Sequence, residues 1–380
     1  MHITYCLRAI WPAGVQFRFV TKTLLPQACG LIRSTAKAVS DAGYVKIFGP
    51  TAEEVVKDID LKDKTCLITG ANSGLGLEMT RCLVGRDCSV IMACRNPYAG
   101  SIVVRNVFDN NPLLKLRELN LASLKSVKKF SDDLVKEDKK LDMVILNAGV
   151  FGIPWSLTED GIETTFQVNY LGHVYMLMNI EKILAPDARV VFLSSESHRN
   201  VRWSVEKRLV PTEDQLSLPA DKYTSIKAYN VSKLCGVLAM HYFGYRWLGS
   251  NKSVFAAHPG SFIKTRLSRN WWPYELLYYA MQPFSKSVRQ AASTPLFCAA
   301  SPALAGLSAV YVRDCQRRAE SDLALDSHLS FRVMDLTLDM LRERTPAVDP
   351  APARDQPKQP ASDAKHAIDD EHNLISNYSG

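Results

Sequence analysis

From Lys64 onward, short unbroken apolar runs alternate with helical stretches, and this alternation limits the fold more than any other feature of the sequence. The runs at residues 65–69 (TCLIT), 89–93 (SVIMA), 116–121, 143–146 (MVIL), 189–193 (RVVFL), 253–257 and 307–312 predict seven strands. Residues 74–85, 100–108, 124–135, 161–184, 229–247 and 288–300 predict the intervening helices. A strand with one wet face alternates apolar and polar residues. A strand covered on both faces reads as a continuous apolar run. Right-handed crossovers between such strands give an α/β doubly wound parallel sheet with helices on both faces. Sheets of this kind bind ligands beyond the carboxyl ends of their strands.

Composition narrows the function classes. The chain has 380 residues, 47% of them hydrophobic and 22% charged, which is enough to bury a full core. The net charge of +7 is spread along the chain and no basic run interleaves with aromatics, so no nucleic-acid partner is expected. The nine cysteines contain no C-x-x-C pair. Cys82, Cys88 and Cys94 straddle a predicted helix and strand, which is wrong for a zinc knuckle, and no metal site is expected. Unpaired thiols favour an intracellular protein, read here as cytoplasmic. Residues 1–45 form a basic extension with Arg8, Arg18, Lys22, Arg33 and Lys37 and no acid before Asp41. That composition suits a mitochondrial targeting segment as well as a plain extension. No apolar run reaches the ~20 residues of a membrane span. The expected organisation is a domain over 46–320, a helical segment over 321–344 with a docking helix from Leu329, and a Pro/Ala-rich disordered tail over 345–380.

The first strand runs into Thr69-Gly70-Ala71-Asn72-Ser73-Gly74-Leu75-Gly76, which opens the first long helix. Gly70 allows a tight exit from the strand. Gly74 and Gly76 let backbone N–H groups and the helix close on a pyrophosphate, toward which the helix start carries positive partial charge. The loop predicts a Rossmann-type nucleotide site. Its spacing is G-x-x-x-G-x-G. With MACRN, PWSLTEDGIETTFQVNYLGH, SSESHR, AYNVSKLC, HPG and WWPYELLYYAMQPFSKS, it resembles the short-chain dehydrogenase/reductase family over residues 47–320. Within the family it is most similar to the branch of retinol dehydrogenases and WW-domain-bearing oxidoreductases. WW modules need paired tryptophans, and Trp11 is the only tryptophan before Trp155. The partner biology of those modules is therefore not expected here.

An acid at the end of the second strand would bind the ribose of NAD, and a base the 2′-phosphate of NADP. Arg95 stands there with no Asp or Glu in reach, which favours NADP(H) over NAD(H). The resemblance implies adenine contact at Asn120, where relatives usually carry aspartate. It also implies a floor under adenine and ribose at Asn147, Ala148 and Gly149, and a turn around the nicotinamide carboxamide at Pro259 and Gly260.

Carbonyl–alcohol exchange needs a proton donor or acceptor at the oxygen and a group that holds that oxygen. A Tyr-x-x-x-Lys pair on one helix brings phenol and ammonium together, and the ammonium favours the phenolate. Two pairs occur, Tyr223/Lys227 and Tyr229/Lys233, and spacing does not choose between them. The resemblance selects Tyr229 and Lys233, with Lys233 also on the nicotinamide ribose. It assigns the oxygen-holding serine to Ser195, with Ser194 as the alternative. It makes Asn169 the residue that bends its helix and holds a proton-relaying water. His173 reads as packing and His198 as a pocket-rim residue. The aromatics between Phe262 and Phe284 suggest a lid over a small lipophilic alcohol or ketone, steroid- or retinoid-like, with core packing and peripheral membrane contact as alternatives. A homodimer stays open. The implied activity is nicotinamide-dependent oxidation or reduction. The alternative is a cofactor-binding scaffold with little turnover.

Overall fold

The structure is a computed structural model that describes residues 49–203, 211–260, 263 and 286–345. The basic N-terminal extension, the aromatic stretch 262–284 apart from Ile263, and the tail beyond Thr345 lie outside the described residues. The strands are β1 (Thr65–Thr69), β2 (Ser89–Cys94), β3 (Leu114–Glu118), β4 (Leu141–Leu146), β5 (Leu184–Leu193), β6 (Ser253–His258) and β7 (Val310–Arg313). All seven are parallel in the order β3-β2-β1-β4-β5-β6-β7. A two-residue strand β8 (Gln316–Arg317) pairs antiparallel with β7 and brings the sheet to eight.

Helix α1 (Ala52–Val56) precedes the sheet, followed by α2 (Gly74–Val84), α3 (Pro97–Phe108) and α4 (Leu124–Lys136). The next helix, α5, runs through Thr164–Phe166, a π-helical turn at Gln167–Leu171, and Gly172–Ile180. The later long helices are α6 (Ser225–Arg246), α7 (Ser293–Ala300) and α8 (Ser327–Arg344). Alternate residues of each strand face opposite layers. Cys66, Ile68, Val90, Met92, Ile145, Val191 and Phe255 join one buried cluster with Met79 and Leu83 of α2 and Leu296 of α7. Their neighbours face the other way, where Phe192 stacks on Phe243 of α6 at 6.4 Å. Two-sided burial is the reason the strands read as unbroken apolar runs.

Several boundaries differ from the sequence expectation, each for a local reason. Strand β3 ends at Glu118 because Asn120 turns the chain, its side-chain oxygen accepting from the Ala122 N–H at 3.2 Å. Helix α5 starts at Thr164, where the buried Glu163 carboxylate accepts from the Thr165 and Phe166 N–H groups at 2.7 and 2.9 Å. Helix α6 starts four residues before Tyr229, because the Thr224 side chain caps it by accepting from the Lys227 N–H. The expected helix over 288–300 is two helices that meet at Ala292. The expected docking helix is α8, which packs on α6 and bonds Ser330 Oγ to the Leu238 carbonyl at 2.8 Å.

The strand order reverses between β1 and β4, so the carboxyl ends of these two strands open a crevice.

Candidate active site

The crevice is floored by the glycine loop. Gly70 sits at φ +68°, a conformation that costs a side-chain-bearing residue energy. A Cβ on Gly76 would lie 2.4 Å from the Gly70 carbonyl oxygen and 2.8 Å from Asn147 Nδ2. Only glycine lets α2 start this close to the end of β1. Ser73, at the N-cap of α2, makes no side-chain capping bond. The first N–H groups of α2 therefore stay available for an anion.

A cavity of about 430 Å³ opens over this loop. Gly70, Asn72, Ser73, Gly74 and Leu75 line one side, Arg95 and Asn120 another, and Asn147, Ala148 and Gly149 a third. The residues assigned to the adenosine and pyrophosphate are thus brought to one cavity. Arg95 is exposed at the end of β2, at the cavity's edge. Asn147 donates from Nδ2 to the Thr69 carbonyl at 2.8 Å, tying β4 to β1 at the switch point. An uncapped helix start and a cradle that a single Cβ would fill suit the pyrophosphate of a nicotinamide dinucleotide.

Tyr229 and Lys233 lie one turn apart near the start of α6. Tyr229 packs edge-on against Phe151, with ring centroids 4.9 Å apart, and Phe151 itself lines the cavity. Lys233 Nζ lies 5.3 Å from the Tyr229 ring centre and donates to the Leu193 carbonyl at 2.7 Å. Burial lowers the Lys233 ammonium to about 8. Tyr223, the competing tyrosine, stands outside α6 and donates its hydroxyl to the Ile153 carbonyl at 2.8 Å. Among the described contacts of Tyr223 there is none with Lys227.

Asn169 sits inside the π-helical turn, where one extra residue is accommodated and the helix is locally widened. Its carboxamide accepts from the Val150 N–H at 2.7 Å and donates to the Val150 carbonyl at 3.0 Å. It also donates to Ser232 Oγ at 3.1 Å, beside Lys233. A Cβ on Gly149 would lie 3.2 Å from the Asn169 carboxamide oxygen, a tight contact that the carboxamide would have to yield to.

Two residues matter more than the sequence suggested. Thr69 Oγ1 accepts from the Ala148 N–H and bonds His173 Nε2, both at 2.9 Å, and it donates to the ring because the opposite ring nitrogen faces a carbonyl and must carry the proton of the neutral imidazole. The other ring nitrogen, Nδ1, then carries the proton toward the Asn169 carbonyl at 3.3 Å. His173 is a neutral strut between β1 and the π turn, and burial depresses it to about 3. Phe151 orients the Tyr229 ring. It follows Asn147-Ala148-Gly149 by two residues, and an aromatic there was the available signal.

Ser195 lies two residues beyond β5 and caps a 3₁₀ turn, Glu196–Asn200. Its Oγ accepts from the Ser197 N–H at 3.3 Å, which leaves the hydroxyl proton free to donate elsewhere. Ser194 is buried, and its Oγ has no hydrogen-bond partner among the described residues. His198 corrects an expectation. It is fully buried rather than on the pocket rim, because the chain at 319–321 folds back over it. Pro259 and Gly260 follow β6, and Gly260 takes φ +114° against the Lys286 side chain.

Lys233 sets a trade-off between stability and the site. Its pKa is lower folded than unfolded, so burying the cation destabilises the fold fully below pH 8. The cost disappears as pH rises from 8 toward 10.5. Lys233→Met should therefore stabilise the cofactor-free protein by about 1–3 kcal/mol at pH 7. Urea unfolding should show the gain shrinking by pH 10, and a gain that grows with pH would contradict the burial argument.

The family model for short chain dehydrogenase matches residues 64–205. The chain is 39% identical over 297 residues to the WW domain-containing oxidoreductase of Drosophila melanogaster, covering 77% of this chain and 72% of the relative. It is 34% identical over 289 residues to retinol dehydrogenase 12 of Homo sapiens, covering 75% and 88%. A crystal structure of an uncharacterized protein from Mycobacterium paratuberculosis superposes with TM-score 0.62 at 28% identity, covering 77% of this chain and 98% of that one. A short-chain type dehydrogenase/reductase from Mycobacterium marinum superposes with TM-score 0.53 at 17% identity, over 68% of this chain and 96% of that one, and shows the shared fold. The chain belongs to the short-chain dehydrogenase family, and is an oxidoreductase built to use a nicotinamide dinucleotide.

Proposed function

We propose that the protein interconverts a lipophilic alcohol and its ketone or aldehyde, retinoid- or steroid-like, with NADP(H) as cofactor. The observation that carries this reading is the placement of the Tyr229 ring between Phe151, which lines the cavity, and Lys233. Bound in the crevice, the nicotinamide supplies or accepts the hydride.

The chain's own residues do the rest. Gly70 to Gly76 and the start of α2 hold the pyrophosphate. Asn120 and Asn147 to Gly149 flank the adenosine, and Pro259 and Gly260 shape the carboxamide end. Ser195 donates a hydrogen bond to the substrate oxygen. Tyr229 gives a proton to that oxygen in reduction and removes one in oxidation. Lys233 stabilises the phenolate and reaches the ribose. Asn169 holds the helix open beside Lys233, where water can return the proton. The retinol dehydrogenase relatives support a lipophilic substrate.

Arg95 supports NADP(H). It lies at the cavity's edge with no carboxylate beside it on β2. Arg95→Glu removes a charge-assisted phosphate contact and offers a carboxylate to a ribose hydroxyl instead. The ratio of kcat/KM for NADPH over NADH should fall at least about tenfold, since such bonds contribute about 1.5–3 kcal/mol. An unchanged ratio would remove Arg95 from cofactor selection.

The test of the function is a panel of retinoid and steroid carbonyls and alcohols with NADPH, NADH and their oxidised forms, followed by absorbance of the reduced nicotinamide. Turnover with the NADP couple is expected. Silence across the panel, together with a stable protein partner in pull-down, would favour the scaffold reading.

A further inference from the structure

The 3₁₀ turn that begins at Ser195 is bolted to β7 and to the chain that follows it. Tyr311 donates its hydroxyl to Glu196 Oε1 at 2.8 Å, and Arg313 pairs with the same carboxylate at 3.5 Å. Arg199 donates to the Ala319 carbonyl. At the centre lies His198, fully buried, its ring 5.1 Å from the Tyr311 ring. Its Nε2 lies 3.1 Å from the Ser321 backbone nitrogen. A backbone N–H can only donate, so Nε2 carries a lone pair. The ring proton therefore sits on Nδ1, 2.7 Å from the Ser195 carbonyl oxygen, and is donated to it. Both nitrogens are committed to backbone, and the imidazole can neither touch substrate nor exchange a proton with it.

We infer that His198 is a positioning residue. By linking the Ser195 carbonyl to the Ser321 N–H through a fixed neutral ring, it sets the direction of the Ser195 hydroxyl. Among the described residues the Ser195 side chain has one long bond, to the Ser197 N–H at 3.3 Å, so its aim depends on its backbone. The backbone in turn is held through the Ser195 carbonyl. Burial keeps the ring below its ordinary pKa, which agrees with a neutral tautomer. A doubly protonated ring would turn a second donor on the Ser321 N–H. The inference rests on the reading of Ser195 as the residue that holds the substrate oxygen.

The test uses the full chain and five variants. His198→Phe keeps an aromatic ring and removes both bonds. It should lower kcat about ten- to a hundredfold, the scale set by an ångström of misplacement, and leave the NADPH dissociation constant unchanged. His198→Asn restores a donor where Nδ1–H was, and should recover most of the loss. Ser195→Ala/His198→Phe should be no slower than Ser195→Ala alone. Ser321→Pro removes the other anchor without touching the histidine, at a φ of −69° that proline accepts. It should lower kcat in the same direction and covers the case in which His198→Phe fails to fold. Independently of turnover, ¹⁵N spectra of the histidines should show His198 protonated at Nδ1 alone at neutral pH. A folded His198→Phe or Ser321→Pro with wild-type kcat, losses that multiply in the double variant, or a proton on Nε2 would overturn the inference. A fully active Ser195→Ala would instead remove the reading of Ser195 itself.

Discussion

Tyr229→Phe is expected to lower turnover by at least about 10²-fold, the lower end of what a general acid or base contributes. The dinucleotide should bind as before. Only the hydroxyl is lost, so the ring keeps its edge contact with Phe151 and its place beside Lys233. Fluorescence titration with NADPH should give a dissociation constant within about twofold of wild type, while kcat collapses. Tyr223→Phe is the internal control. Its hydroxyl is spent on the Ile153 carbonyl, away from Lys233, and its removal should cost a little stability and almost no turnover. If the two variants behaved the other way round, the catalytic assignment would pass to Tyr223.

The second large effect concerns Gly76. In Gly76→Ala the new methyl meets the Gly70 carbonyl oxygen at 2.4 Å and the Ala71 Cα at 3.0 Å. Both are backbone atoms and cannot swing aside as a side chain would. The start of α2 must lift away from β1. Overpacking of this kind costs about 1–3 kcal/mol, which for a domain of this size lowers the Tm by about 2–5 °C. The dinucleotide should suffer more than the fold, because the displaced N–H groups are those offered to its phosphates. An affinity loss beyond about a hundredfold is expected by calorimetry. Gly236→Ala serves as the comparison. Its nearest neighbour is Phe192 Cδ1 at 3.9 Å, an ordinary contact. Alanine inside α6 should raise stability by about 0.5–1 kcal/mol. Equal behaviour of the two variants would mean that the tight crossing of α2 over β1 is not a constraint.

What was legible in the sequence follows from what physical demand leaves a residue pattern. Two-sided burial demands unbroken apolar strands, so the parallel, doubly wound sheet could be read from runs such as TCLIT and SVIMA. Close backbone approach demands glycine, so Gly70, Gly74 and Gly76 marked the crevice. Asn169 stood out because asparagine is a poor choice inside a helix. The π turn around it left no other trace, since a shift from i+4 to i+5 bonding changes geometry and not composition. The start of α6 was misplaced because its cap, Thr224, lies among polar residues that read as loop. His198 was misread as a rim residue for a different reason. Its partner, the Ser321 N–H, is 123 residues away and belongs to the backbone, which carries no sequence signal.

Under the proposed function a hydride passes between a nicotinamide in this crevice and a carbonyl carbon held beside Tyr229. The most direct measurement follows deuterium from NADPH labelled at the reactive ring carbon, using a carbonyl compound that the panel identifies as a substrate. Mass spectrometry should find the alcohol one mass unit heavier with the wild-type chain, and at least about 10²-fold less of it formed in the same time with Tyr229→Phe. Label appearing equally with both proteins, or NADPH consumed with no deuterium in the alcohol, would contradict it.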